Sequence, residues 1–142
     1  MTDPFPKGRR SFVLIVDDNE RDRAMLSDVL EHAGYRVTTA ADGWQAVVQS
    51  EGLNVELVVL DILMPGLYGS GFEAYHRLRA SPYVRKDLPI LFVTAASREK
   101  VGKDIPVDPQ VRILYKPLDL KQLLATVREL LGPGGSRPQG AA

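Results

Sequence analysis

Val55-Glu56-Leu57-Val58-Val59-Leu60-Asp61-Ile62-Leu63-Met64-Pro65-Gly66 runs from an apolar stretch into an aspartate and then into a loop rich in Pro and Gly. Apolar residues in succession, not alternating with polar ones, mark a strand buried on both faces, as in a parallel sheet covered by helices. The strand ends at Asp61, and a helix near Phe72 to Arg79 follows, with Phe72, Tyr75 and Leu78 sharing one face. The same unit recurs on either side. Upstream, Phe12 to Val16 form an apolar run that ends at Asp17 and Asp18. A helix follows with Met25, Leu26, Val29, Leu30 and Ala33 inward, Arg21, Asp22, Arg23, Asp28 and Glu31 on the other side, and Gly34 as its stop. Tyr35 to Thr39 then read as a strand, Asp42 and Gly43 as a turn, and Trp44 to Ser50 as a short helix with Ala46 and Val47 inward and Trp44 packing or at the surface.

Downstream, Pro89 opens a strand from Ile90 to Val93 that leads to Thr94, and Val111 to Tyr115 form another that leads to Lys116. Asp119 to Leu131 supply a last helix with Leu120, Leu123, Leu124, Val127 and Leu131 inward. Between these strands only Ser97 to Gly102 have helical character, because Gly102, Pro106 and Pro109 interrupt anything longer. Five strands interleaved with helices predict an α/β fold: a five-stranded parallel sheet with helices on both faces and a fourth helix that is short or irregular. Residues 12–131 make one domain, 1–11 a flexible lead-in whose Lys7, Arg9 and Arg10 are solvated, and 132–142 a disordered tail.

The chain has 142 residues, enough for one core that buries roughly two-thirds of the unfolded surface. Its 18 basic and 18 acidic residues balance, so no overall field draws nucleic acid or an anionic bilayer. Cysteine is absent, which excludes disulfides and thiolate chemistry. With no apolar run near 18 residues and no signal-like start, the expected location is the cytoplasm, without a membrane partner.

In an open parallel sheet, ligands gather beyond the carboxyl ends of the strands, and Asp17, Asp18, Asp61, Thr94 and Lys116 all fall there. Each alone has an ordinary structural explanation as a cap, a turn former or a solvated side chain. Together they are poorly explained by folding, since clustered acids repel one another and lose hydration on burial. A divalent cation relieves that repulsion, and an all-oxygen donor set without a histidine cluster suits Mg2+ and not zinc. A carboxylate beside a metal, a hydroxyl and an ammonium can attack phosphorus and form an aspartyl phosphate. Asp61 is then the nucleophile, Asp17 and Asp18 orient Mg2+, Lys116 pairs with a phosphoryl oxygen or the acceptor carboxylate, and Thr94 offers a hydroxyl.

The motifs Val16-Asp17-Asp18-Asn19, Leu60-Asp61-Ile62-Leu63-Met64-Pro65-Gly66, Val93-Thr94-Ala95 and Lys116-Pro117 occur in this order over Phe12 to Leu131. In this the chain resembles the receiver domains of bacterial two-component response regulators, particularly those of chemotaxis. The resemblance implies a flavodoxin-like sheet of order 2-1-3-4-5 and Mg2+ coordination by Asp18, Asp61 and the Leu63 carbonyl, with Asp17 acting through water. It also implies a cis bond between Lys116 and Pro117, and rim positions at Leu63 and Ala96 that tune loss of the phosphoryl group. The donor it implies is a sensor histidine kinase or a histidine phosphotransfer protein, with small acyl phosphates as substitutes. Such a domain catalyses its own phosphorylation and dephosphorylation without being an ordinary enzyme, and signals by protein contact.

Three departures bear on output. The turn Gly66-Leu67-Tyr68-Gly69-Ser70-Gly71 is two residues longer than the family's, the fourth helix is curtailed, and Ile113 stands where the family often carries a rotamer-switching aromatic. A monomer or a non-standard dimer is therefore expected, acting on an unnamed downstream protein. A phosphorylation-independent interaction module of the same shape is the nearest alternative function. A dinucleotide-binding protein would need a Gly-rich cradle where Asp17-Asp18-Asn19-Glu20 stand, and a haloacid-dehalogenase-like phosphatase would need Asp-x-Asp and a second domain.

Overall fold

The computed structural model describes residues 10–64 and 70–132. The N-terminal lead-in up to 9, most of the lengthened turn and the tail from 133 onward lie outside the described residues. The elements follow one another as β1 (Phe12–Val16), α1 (Glu20–His32), β2 (Arg36–Ala40), α2 (Gly43–Gly52), β3 (Leu57–Asp61), α3 (Gly71–Ala80), β4 (Ile90–Thr94), α4 (Arg98–Val101), β5 (Val111–Tyr115) and α5 (Leu120–Leu131). All four strand pairings are parallel, in the order β2-β1-β3-β4-β5. This is the flavodoxin-like arrangement expected, with β3 and β4 in the middle and buried at every residue.

Alternation along the strands divides the core in two. Leu14, Val58, Leu60 and Phe92 face α2 and α3, where Ala46, Val47, Ala74, Tyr75 and Leu78 meet them. Val13, Ile15, Leu57, Val59, Leu91 and Val93 face α1 and α5, against Leu26, Leu30, Leu123, Val127 and Leu130. Truncating any of the fully buried leucines to alanine costs about 2–5 kcal/mol by the general experience of such cavities. Each helix starts where a short polar side chain accepts a backbone N–H of the first turn: Asn19 for α1, Asp42 for α2, Ser70 for α3, Ser97 for α4 and Asp119 for α5.

The apolar stripes of the outer helices are wider than the seam they bury. Met25 and Leu120, expected inward, are 39% and 44% exposed, and Leu130, not Leu131, completes the buried row of α5. Leu120 and Leu124 instead line a shallow groove with Val29 and Ala33 between α5 and α1. The fourth helix is a single turn, as the glycine and prolines after it require. The segment that follows is pinned to α3: Asp108 accepts from the Tyr75 hydroxyl at 2.7 Å and from Arg79 Nε at 3.0 Å.

Candidate functional site

The register of the sheet brings the strand ends together. Val16 of β1 pairs with Leu60 of β3, Asp61 with Val93 of β4, and Thr94 with Tyr115 of β5, so Asp17, Asp61, Thr94 and Lys116 emerge along one edge. The caps then decide where the chain goes. Asn19 caps α1 by accepting the Asp22 N–H at 2.9 Å, which leaves Asp17 and Asp18 in the bend between strand and helix. On the other side of the edge, Gly71 opens α3 directly over β3, donating its N–H to the Ile62 carbonyl at 2.9 Å. A Cβ at this position would overlap the Asp61 carbonyl oxygen and stand 3.0 Å from the Ile62 Cα, so this close approach needs a glycine.

Asp17 is fully buried and Asp61 nearly so, while Asp18 is exposed. One carboxylate oxygen from each of the three lies within 4.8 Å of the others. Asp17 Oδ1 accepts from the Asn19 N–H at 2.9 Å, and its backbone carbonyl accepts from Arg23 Nη1 at 2.7 Å. Asp61 Oδ1 accepts from the Leu63 N–H at 3.2 Å. Lys116 Nζ donates to Asp17 Oδ2 and to Asp22 Oδ2, both at 3.1 Å, and stands 3.8 Å from Asp61 Oδ2. The Lys116–Pro117 peptide is cis, and the Lys116 N–H donates to the Thr94 carbonyl at 2.7 Å. Thr94 is buried at the end of β4, where its hydroxyl accepts the Ala96 N–H at 3.0 Å and keeps its own proton to donate. Leu63 lies on the rim, 53% exposed.

Burial and then repulsion from Asp17 push the Asp61 carboxyl up to about 7, with a smaller upward push from Asp18; Lys116 and the Leu63 N–H work against the shift. Burial acts to lower the Lys116 ammonium, but its hydrogen bond to Asp22 and its attraction to Asp61 and Asp17 outweigh that and hold it above the usual lysine range. One ammonium thus faces more negative charge than it can neutralise. The three convergent carboxylates fit a small hard dication, and no histidine or cysteine stands among them to favour a softer metal.

Two participants were not evident in the sequence. Asp22 falls on the outward side of α1 by helical periodicity, yet its carboxylate reaches Lys116. Arg23 falls on the same outward side, yet its guanidinium holds the Asp17 carbonyl. The available signal was position: both lie in the first turns of a helix that starts immediately beyond a site strand.

A family model for the response regulator receiver domain matches residues 13–128. Among curated relatives, the CAI-1 autoinducer sensor kinase/phosphatase CqsS of Vibrio cholerae is 33% identical over 125 residues, which are 87% of this chain and 18% of that protein. This chain therefore spans a small part of that relative. Among solved structures, the Vibrio cholerae chemotaxis protein CheY4 matches with a TM-score of 0.77 and 31% identity, over 86% of this chain and 99% of that one. The Thermotoga maritima response regulator TrrA, solved in complex with Mg2+ and BeF, matches with a TM-score of 0.74 and 30% identity, over 85% of this chain and 99% of that one. Receiver domains of this kind bind Mg2+ in an acidic pocket and accept phosphoryl groups from histidine kinases. With the 2-1-3-4-5 sheet, the carboxylate cluster at its edge and the family match over nearly the whole described chain, this protein belongs to the response regulator receiver domain family, the phosphoacceptor domains of two-component signalling.

Proposed function

We propose that Asp61 is the phosphoacceptor, that Lys116 and Thr94 receive the transferred group, and that Asp17, Asp18 and Asp61, with the Leu63 carbonyl, hold Mg2+. The observation that carries this reading is the environment of the Asp61 carboxylate: it is buried beside two other acids, with one oxygen on the Leu63 N–H and the other 3.8 Å from the Lys116 ammonium. A carboxylate kept dry and close to a fixed cation is prepared for nucleophilic attack in a way that a solvated surface aspartate is not. Bound Mg2+ would supply the positive charge that keeps the clustered carboxylates ionised and offsets charge gathering on the phosphoryl oxygens.

In the transfer, an Asp61 carboxylate oxygen bonds to phosphorus as the bond to the donor breaks. That bond is P–N when the donor is a phosphohistidine and P–O when it is a small acyl phosphate. The electron pair leaves with the imidazole or the carboxylate. Lys116 meets the phosphoryl oxygens as a point charge, and Thr94, whose hydroxyl accepts the Ala96 N–H and has its proton without an acceptor among the described residues, donates to them. The donor is a sensor histidine kinase or a histidine phosphotransfer protein, and the output is contact with a downstream protein in the cytoplasm. No helix among the described residues is long and apolar enough to cross a membrane.

The test is labelling with a small acyl phosphate and Mg2+, followed by mass mapping. The label is expected on Asp61 and is lost in Asp61→Asn, which keeps the side chain's shape without its nucleophilic charge. An undiminished yield in that variant would overturn the assignment.

A further inference from the structure

We infer that Asp22 is a positioning residue that parks the Lys116 ammonium away from Asp61, in competition with the phosphoryl group. The inference rests on Asp61 being the acceptor. An ammonium has three N–H donors. Two are directed at Asp17 and Asp22, each at 3.1 Å, while Asp61 at 3.8 Å lies beyond hydrogen-bonding distance. Asp17 belongs to the same carboxylate cluster as Asp61, so Lys116 keeps company with it when it moves toward a group on Asp61. Asp22 stands outside that cluster, on the first turn of α1 and 39% exposed, and it is the partner left behind.

Asp22 owes this place to the Asn19 cap. Asn19 accepts the Asp22 N–H and so starts the helix with Asp22 turned along the sheet edge instead of away from it. The lysine is thus shared in the resting protein, and each phosphorylation exchanges an Asp22 contact for a phosphoryl contact. Such an exchange lowers affinity for the phosphoryl group by the strength of a half-exposed ion pair, a factor of roughly two to five.

Beryllofluoride with Mg2+ is the probe, because it occupies the place of the phosphoryl group without turnover and its fluorines are visible by 19F NMR. Asp22→Asn removes the tether while keeping the shape, and it should bind beryllofluoride roughly two- to five-fold more tightly at saturating Mg2+, with a shifted line for the fluorine nearest the ammonium. Asp22→Glu, which restores the charge on a longer side chain, should return the affinity toward that of the unaltered protein. Glu20→Gln removes one negative charge from the same exposed turn, and it should leave the affinity unchanged. A thermal melt confirms folding, and Asp22→Ala serves if the Asn variant is not stable.

Equal or weaker binding by Asp22→Asn or its Ala substitute overturns the inference, as does a gain in Asp22→Glu as large as that in Asp22→Asn, and so does an equal gain in Glu20→Gln, which would reduce the effect to bulk charge. If the unaltered protein fails to bind beryllofluoride, or Asp61→Asn binds it equally well, the assignment of Asp61 falls instead, and the inference falls with it.

Discussion

Asp17, Asp18, Asp61, Thr94 and Lys116 were legible in the sequence because each follows a strand, and a parallel sheet delivers its strand ends to one edge. Asp22 and Arg23 were not, because helical periodicity reports which way a side chain points around its own axis and not what stands over its first turn. The raised Asp61 carboxyl gives a prediction with a definite sign. In the folded protein it titrates near 7, whereas an unfolded aspartate titrates at about 4. Between those values the folded chain holds a proton that the unfolded chain has released, so this contribution to stability is full below pH ~4 and is lost as pH rises through about 7. Without divalent metal, stability should therefore fall over this window. Asp61→Asn should flatten the fall and be more stable at pH 8 by about 2 kcal/mol, below the ~4 kcal/mol that an isolated three-unit gap implies because relaxation and water entry around the charged carboxylate offset part of its penalty. Denaturant melts in EDTA from pH 4 to 8 measure both slopes, and parallel curves for the two proteins would contradict the assignment. The rim carries a second prediction. Leu63 is 53% exposed and has no group to orient water, so Leu63→Asn should shorten the acyl-phosphate lifetime several-fold at fixed Mg2+, followed as loss of label with time.

Among the elements, the strands were the most legible, since β3 and β4 are buried on both faces and their apolar runs have no helical reading of comparable length. Their ends were less so: Leu57 opens β3 two residues after the apolar run begins at Val55, because a strand starts where a neighbour can pair and not where the sequence turns apolar. Leu120 misleads for a related reason, as it lines the groove between α5 and α1 instead of entering the core, and Met25 is likewise left partly exposed at 39%. The segment after α4 is irregular, as Gly102, Pro106 and Pro109 predict, but what holds it is not visible in the sequence. Asp108 lies 29 residues from Arg79 and 33 from Tyr75 and meets both through the fold. The Arg79 and Asp108 side chains are 15% and 16% exposed, and removing one partner of a pair this buried leaves the other's charge poorly compensated. Asp108→Ala should therefore cost about 2–4 kcal/mol of stability. Mg2+ affinity should be unchanged, because Asp108 precedes β5 and the carboxylate cluster lies beyond the strands' other ends. Chemical denaturation and a metal titration on the same variant test the two halves, and an unchanged unfolding midpoint would show that the contact does not anchor the segment.

For the molecule as a whole, the sheet carries the acceptor chemistry whatever the output surface does, so the two have to be predicted separately. A symmetric dimer built on the fourth helix, fifth strand and fifth helix is the family's common response to phosphorylation, and its surface is altered here. α4 is one turn long, from Arg98 to Val101, and cannot present the extended rigid face that such a contact needs. Ile113 packs against the core and has no polar tip to follow the Thr94 hydroxyl when that group is drawn toward a phosphoryl oxygen. The polar aromatic on this strand is Tyr115, two residues further on, and the Arg98 guanidinium lies over its ring at 4.5 Å, which further ties α4 to β5. A phosphorylation signal that depends on a mobile aromatic and a long α4 therefore has no lever at this face. The expectation is that the protein sediments with the same mass when fully phosphorylated and when unphosphorylated, or that any dimer contact maps outside Lys103 to Leu123. Sedimentation of both forms, with the phosphorylated fraction checked by mass and any contact located by crosslinking, decides the matter. A phosphorylation-dependent dimer centred on Lys103 to Leu123 would show that the shortened helix and Ile113 still transmit the signal.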